Sequence, residues 1–260
     1  TKDEVVDDIH SYQNEADIPL LIGVDEEGGT VVRVSSNPNL RETAFLSPKD
    51  TYADGGWDAV KRDAEEKADL LLSLGINVNL APVCDMTSDE YGFMYDRSFS
   101  VDVDMENRYV RTVVETSKSK KLGTVLKHFP GYGNNSDTHT GIAYDDRDYS
   151  EFENTDFKPF YQGIESGADC ILVSHNIVNC MDSEYPASLS QKVHDILRNE
   201  FKFDGVIMTD DLIMDAITDF TGDEAAAVTA AKCGNDLLCC SSVDTQYPAV
   251  LEAVQNGEIS

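Results

Sequence analysis

Short apolar runs alternate with longer amphipathic stretches along this chain. The runs are PLLIGVD (19–25), INVNLAPVCD (76–85), GTVLKHF (123–129), CILVSH (170–175), GVIMTDD (205–211) and DLLCCSS (236–242). Each has the length of a fully buried strand, and most are rich in Val, Ile or Leu, as strands covered on both faces should be. Between them, residues 57–73, 104–121, 154–166, 189–200 and 223–232 carry helical patterning. Gly75, Gly123, Gly167 and Gly234 follow four of these stretches, where a glycine ends a helix. The residues before the first run, TKDEVVDDIHSYQNEADIP, are also helix-like. Segment 27–56, with Pro38, Pro48 and Gly55-Gly56, is the longest irregular stretch and reads as a βα loop over a pocket.

Strand alternating with helix implies a parallel sheet. A closed barrel and an open doubly wound sheet both satisfy that pattern. Asp25, Asp85, Lys127-His128, Ser174-His175 and Asp210-Asp211 stand at the ends of successive runs. A barrel gathers all its strand C-termini on one pocket, whereas an open sheet uses mainly those at its switch point. The polar run ends therefore favour an α/β fold of the (β/α)8 TIM-barrel type. The length, 260 residues, suits a barrel of roughly 250 residues. No repeat or linker divides the chain, so residues 1–260 read as one domain.

Charge narrows the partners. Lys and Arg total 20 against 49 Asp and Glu, a net charge of −29. Such a surface repels phosphate backbones and anionic membranes, which argues against nucleic acid as a partner. No apolar run approaches the ~20 residues of a membrane span. The six cysteines form no CxxC pair and no zinc spacing, so no metal site is expected. Cys84, Cys170, Cys239 and Cys240 lie in or beside apolar runs and read as core residues. No leader is visible, but the chain starts as if in mid-domain, so the compartment stays open.

The chemistry lies at the run ends. In GVIMTDDL, two adjacent carboxylates close a strand, and strand geometry aims only one of them at the pocket; the other suits a cap on the following helix. In KHFPGYGNNSDTHTG, Lys127-His128 ends a strand, and a loop with Gly131 and Gly133 carries Asp137 and His139. A carboxylate beside an imidazole fixes its tautomer and raises its basicity, which suits proton transfer near neutral pH. In GVDEEGGTVVRV, Asp25 can accept two hydroxyl hydrogen bonds and Arg33 can donate a fork of them. Arg97 follows in YDRSFS, a position that by itself reads as an ordinary surface arginine. Neither GxGxxG nor a P-loop is present, so nothing supports nucleotide binding.

Taken together these segments resemble the β-N-acetylglucosaminidase branch of glycoside hydrolase family 3. That branch is marked by D-[QE]-E-G-G with a downstream Arg, APV-x-D, R-[SA]-F, K-H-F-P-G-x-G with a following D-x-H, and [ST]-D-[DA]-L. All five occur here in the family's order, from Asp25 to Leu212. The resemblance implies that Asp210 is the nucleophile, His139 the acid/base and Asp137 its partner. It also implies that Asp25, Arg33, Arg97, Lys127 and His128 grip the sugar. The implied reaction is retaining hydrolysis of terminal β-linked GlcNAc from peptidoglycan fragments, chitooligosaccharides or glycoconjugates, with no metal or organic cofactor.

Two positions depart from the pattern: Thr30 stands where many relatives have Arg, and Tyr132 where many have His. Against the family's barrel, the chain is expected to be incomplete at the N-terminal strand and the C-terminal helix. Loop 129–141 is expected to be a mobile lid. The competing readings are a β-glucosidase of the same family, a phosphorylase, and a sugar-binding protein without catalysis.

Overall fold

The computed structural model describes residues 1–259. Its strands are β1 (Gly23–Val24), β2 (Val78–Asn79), β3 (Gly123–Phe129), β4 (Tyr144–Asp145), β5 (Cys170–Val173), β6 (Ile177–Val178), β7 (Val206–Asp211) and β8 (Leu237–Cys239). Six of them form one sheet in the order β1-β2-β3-β5-β7-β8, every neighbouring pair parallel. β4 and β6 form a separate parallel pair beyond the ends of β3 and β5. The six apolar runs thus become the main sheet, in sequence order. They are shorter as ladders than as runs because side chains replace backbone partners. The first run shows this: Ile22 donates its N–H to Asn77 Oδ1 at 2.7 Å, and Glu26 donates to Asn79 Oδ1 at 3.0 Å.

The sheet is curled. Gly23, Val78, Val125, Cys170, Met208 and Cys239, one from each of its strands, line a single apolar cavity of about 650 Å³. Edge strands β1 and β8 therefore look onto the same interior, the geometry of a half-barrel. Among the described residues no ladder joins β8 to β1, so the six parallel strands curl without closing.

Helices α1 (Lys2–Glu15), α2 (Pro48–Leu74), α3 (Val103–Lys120), α4 (Tyr149–Asn154) and α5 (Phe157–Glu165) cover the first half of the sheet. The largest core cluster lies under α3 and α5, where Val110, Val114, Phe157 and Phe160 pack on Leu126, Phe129 and Ile171. A second cluster sets Ile9 of α1 against Leu71 and Leu74 of α2. The second half is covered by α6 (Gln191–Asp195), which runs on as a π-helical turn to Glu200, and by α7 (Asp215–Thr221), α8 (Asp223–Cys233) and α9 (Val243–Gln255). Among the described residues no helix is long and apolar enough to cross a membrane.

Three expectations need correction. The irregular segment ends at Ser47, not at Gly56: Ser47 accepts the Asp50 N–H, Pro48 starts the helix, and α2 continues across a kink. Gly55 and Gly56 leave helical geometry there, with Gly56 at φ 63°, which is why the pattern breaks at that point. Patterned stretch 154–166 is helix α5, which starts only at Phe157; α4 ends at Asn154, and between them the Asp156 carboxylate turns inward to Arg147 at 3.0 Å. Finally, α9 follows β8, where the expectation placed no helix; Pro248 inside it disguises the pattern.

Candidate active site

A cavity of about 410 Å³ opens at the C-terminal end of the sheet. Asp25, Arg33, Arg97, Lys127, His128, His139 and Asp210 all line it. Asp137 does not line it but sits against His139. The residues singled out from the sequence are thus brought together, although they span the chain from 25 to 210.

The centre of the site is an ion-pair network on the ends of β1 and β3. Lys127 Nζ lies 2.6 Å from Asp25 Oδ1 and 2.6 Å from Glu27 Oε1. Arg97 grips Glu27 with both prongs, Nε to Oε2 at 2.9 Å and Nη2 to Oε1 at 2.8 Å. Burial alone would raise the Glu27 carboxyl, but Lys127 and Arg97 outweigh it and hold the group down at about 2. Burial likewise works against the charge on Lys127, and Glu27 and Asp25 more than restore it, so its ammonium stays above the usual lysine range. The network holds Lys127 and Arg97 charged and aimed at the cavity.

His128 is fixed from behind. Its backbone N–H donates to Asp85 Oδ2 at 3.0 Å, and its Nδ1 faces the same oxygen at 2.7 Å. The other Asp85 oxygen accepts the Tyr132 N–H at 2.7 Å. Glu26, also buried, accepts the N–H groups of Arg33, Val34 and Ser35 and so shapes the strand-end loop from which Arg33 enters the cavity.

Of the adjacent pair on β7, Asp210 is the one left uncommitted. Among the described residues its Oδ1 accepts only the Asp211 N–H, at 2.9 Å. Asp211 instead binds the N–H groups of Ile213 and Ser241 and the Ser241 hydroxyl, so it ties β7 to the segment after β8. Burial pushes the Asp210 carboxyl up, and the Lys127 charge and the Asp211 N–H act against it, with the net position below the ordinary carboxylate range. It is therefore ionised at neutral pH, as a nucleophile must be.

His139 and Asp137 stand on a short turn, Thr138–Thr140. Asp137 Oδ1 accepts the His139 N–H at 3.0 Å and lies 2.6 Å from His139 Nδ1. An ionised carboxylate can only accept, so Nδ1 carries the hydrogen and Nε2 is left for a proton in transit.

Four site residues escaped the sequence reading as functional positions: Glu26, Glu27, Asp85 and His175. Glu27 had a signal, since it lies two residues from Asp25 and strand periodicity puts both on one face. His175 had been noted only as a polar run end. Its Nε2–H donates to the Asp211 carbonyl at 2.9 Å and its Nδ1 accepts from the Ser188 hydroxyl at 2.7 Å. Burial pushes its pKa down, which keeps it neutral in that arrangement.

The family model described as the N-terminal domain of glycosyl hydrolase family 3 matches residues 2–260. A β-hexosaminidase from Hydrogenovibrio crunogenus is 33% identical over 248 residues, covering 93% of this chain and 69% of the relative. An uncharacterized secreted glycosyl hydrolase from Arthroderma benhamiae is 32% identical, covering 93% of this chain and 70% of that protein. The solved structure of a family 3 β-N-acetylglucosaminidase from Paenibacillus sp. FPU-7 superposes with a TM-score of 0.91 at 29% identity. It covers all of this chain, which spans 51% of that one. A fungal multidomain family 3 β-N-acetylglucosaminidase superposes at 0.92 and 28% identity, and this chain spans 32% of it. With the family model matched along the chain and its curled parallel sheet shared with these structures, the chain belongs to glycoside hydrolase family 3.

Proposed function

We propose that this chain is the catalytic domain of a retaining β-N-acetylhexosaminidase acting on terminal β-linked GlcNAc. The observation that carries the proposal is the meeting of Asp210 and His139 in one cavity with the Asp25–Lys127–Glu27–Arg97 network. In the first step Asp210 attacks the anomeric carbon while His139, protonated at Nε2, gives its proton to the departing oxygen. In the second, the same Nε2 takes a proton from water, which displaces Asp210 and releases the sugar with retained configuration. Asp137 holds the imidazole in one tautomer and stabilises its charged form before the first step and after the second. Asp25, Arg33, Arg97, Lys127 and His128 hold the sugar's hydroxyl groups. The relatives' printed activities, β-hexosaminidase and β-N-acetylglucosaminidase, support the same choice of substrate. The curled sheet is read as part of a (β/α)8-type barrel, supported by its parallel order and by the polar side chains gathered at one end.

The test is turnover of p-nitrophenyl β-GlcNAc against the β-glucoside, each with and without phosphate. A site closed around an acetamido group leaves polar groups unpaired when glucose binds, so the GlcNAc substrate should be cleaved far faster. Equal rates point to a β-glucosidase. Release of the sugar as its 1-phosphate points to a phosphorylase, and no turnover at all to a sugar-binding protein.

A further inference from the structure

The turn that carries Asp137 and His139 is held at one buried point. From 134 to 140 every residue is at least partly exposed except Thr138, which is fully buried. Its hydroxyl lies 2.5 Å from the hydroxyl of Tyr132, and among the described residues each is the other's partner. The Tyr132 side chain is itself enclosed, 2% exposed. Its ring packs edge-on against Phe93 and His128, and its N–H is bound to Asp85. Asp85 also binds His128. One short chain of contacts therefore runs from the residues that would grip the sugar to the turn that would deliver the proton.

The backbone ties of the turn are few and local: the Asn135 N–H donates to the Tyr132 carbonyl and the Thr140 N–H to the Asp137 carbonyl. Gly133, at φ 54°, and Gly141, at φ 147°, bracket the loop, and glycine is the residue whose backbone is least restrained. Asn134 anchors the near end by accepting from the Thr87 hydroxyl and the Ser88 N–H. The turn packs against α7, but among the described residues no hydrogen bond joins the two.

We propose that the Tyr132–Thr138 hydroxyl pair is a latch that seats the Asp137–His139 dyad over the cavity, which makes both of them positioning residues for proton transfer. The proposal rests on His139 being the acid/base. Neither hydroxyl touches the sugar; each acts through the turn.

The experiment uses Tyr132→Phe and Thr138→Val, which delete one hydroxyl each and keep the shape, with Thr138→Ser as the conservative control and His139→Ala as the reference. Two readouts are taken. Hydrogen exchange of the 134–141 amides reports on the latch. Turnover of N,N′-diacetylchitobiose and of p-nitrophenyl β-GlcNAc separates a leaving group that needs a proton from one that does not. Tyr132→Phe and Thr138→Val should exchange faster over 134–141. They should lose roughly 3–10-fold in kcat on the disaccharide, as expected for one hydrogen bond, with KM and aryl glycosylation nearly unchanged. Thr138→Ser should behave as wild type. Unchanged exchange in Tyr132→Phe overturns the latch whatever His139 does. Faster exchange without leaving-group selectivity, while His139→Ala shows it, overturns the positioning role and leaves the acid/base reading standing. If His139→Ala itself shows no selectivity, the acid/base reading fails and the positioning role falls with it.

Discussion

Asp85 meets His128 twice through one oxygen, at the backbone N–H and at ring Nδ1, 3.0 and 2.7 Å away. Because the carboxylate accepts, the ring hydrogen sits on Nδ1 and Nε2 is an acceptor, 3.2 Å from Arg97 Nη2. The second carboxylate oxygen holds the Tyr132 N–H. Asp85→Ala strands these buried donors, each at a cost of about 1–3 kcal/mol. Urea unfolding should show the loss of stability, and the variant's KM should rise as His128 turns away. A variant as stable as wild type would show that water takes over the same donors.

Glu27 is the second buried carboxylate whose removal should be felt. Glu27→Gln leaves Lys127 and Arg97 buried with one counter-charge fewer, which should cost about 3–5 kcal/mol at neutral pH. The pH dependence has a definite sign. The Glu27 carboxyl is depressed from 4.5 to about 2, so its contribution is complete above its unfolded value and is lost as pH falls through the folded one. The stability gap between wild type and Glu27→Gln should hold above pH 4.5 and narrow from there down to about 2. Urea midpoints measured across that window check it; a gap independent of pH contradicts the ion-pair account.

The two carboxylates on β7 should separate cleanly. Asp210→Ala should lose at least ~10³-fold in kcat, on the scale of deleting a covalent nucleophile. Asp211→Ala removes the contacts to Ser241 and Ile213, so it should lower stability and cost less in kcat. If Asp211→Ala is the more damaging to turnover, the nucleophile has been misassigned.

His139→Ala should depend on what leaves. A p-nitrophenolate departs without a proton, so its release should slow little. A sugar leaving group should slow roughly 10²–10⁴-fold, the usual range for general acid catalysis. Asp137→Asn should fall between wild type and His139→Ala, because Asn keeps a partner for Nδ1–H but not the charge that stabilises the imidazolium. Pre-steady-state burst measurements on both substrates separate glycosylation from release. Equal losses on both at glycosylation would move the acid to another group in the cavity.

Much of this was legible in the sequence, for a physical reason. Buried parallel strands must be apolar throughout, so the runs ending at Asp25, Lys127-His128 and Asp210 announced both the sheet and its working end. Curvature was legible only through the polar groups at the run ends, and the degree of closure was not legible at all. It depends on where edge strands β1 and β8 stand relative to each other, and no local pattern encodes that. The start of α2 was hidden because Gly55-Gly56 interrupts its periodicity while Ser47 and Pro48 supply the actual start. At the site, the residues that line the cavity were readable from their chemistry. Those that act on other side chains were not: the part played by Asp85 depends on what Tyr132 and His128 need across 43 or more residues of chain.

The turn at Thr138 stands apart from the ladders that carry the rest of the site, with exposed Asn134 and Ser136 ahead of it. A protease that nicks the chain there would leave the strands and their ion pairs in place while cutting the imidazole loose. On the proposed mechanism, damage of that kind changes the kind of molecule rather than its amount: an enzyme would persist as a lectin, occupying its ligand without consuming it.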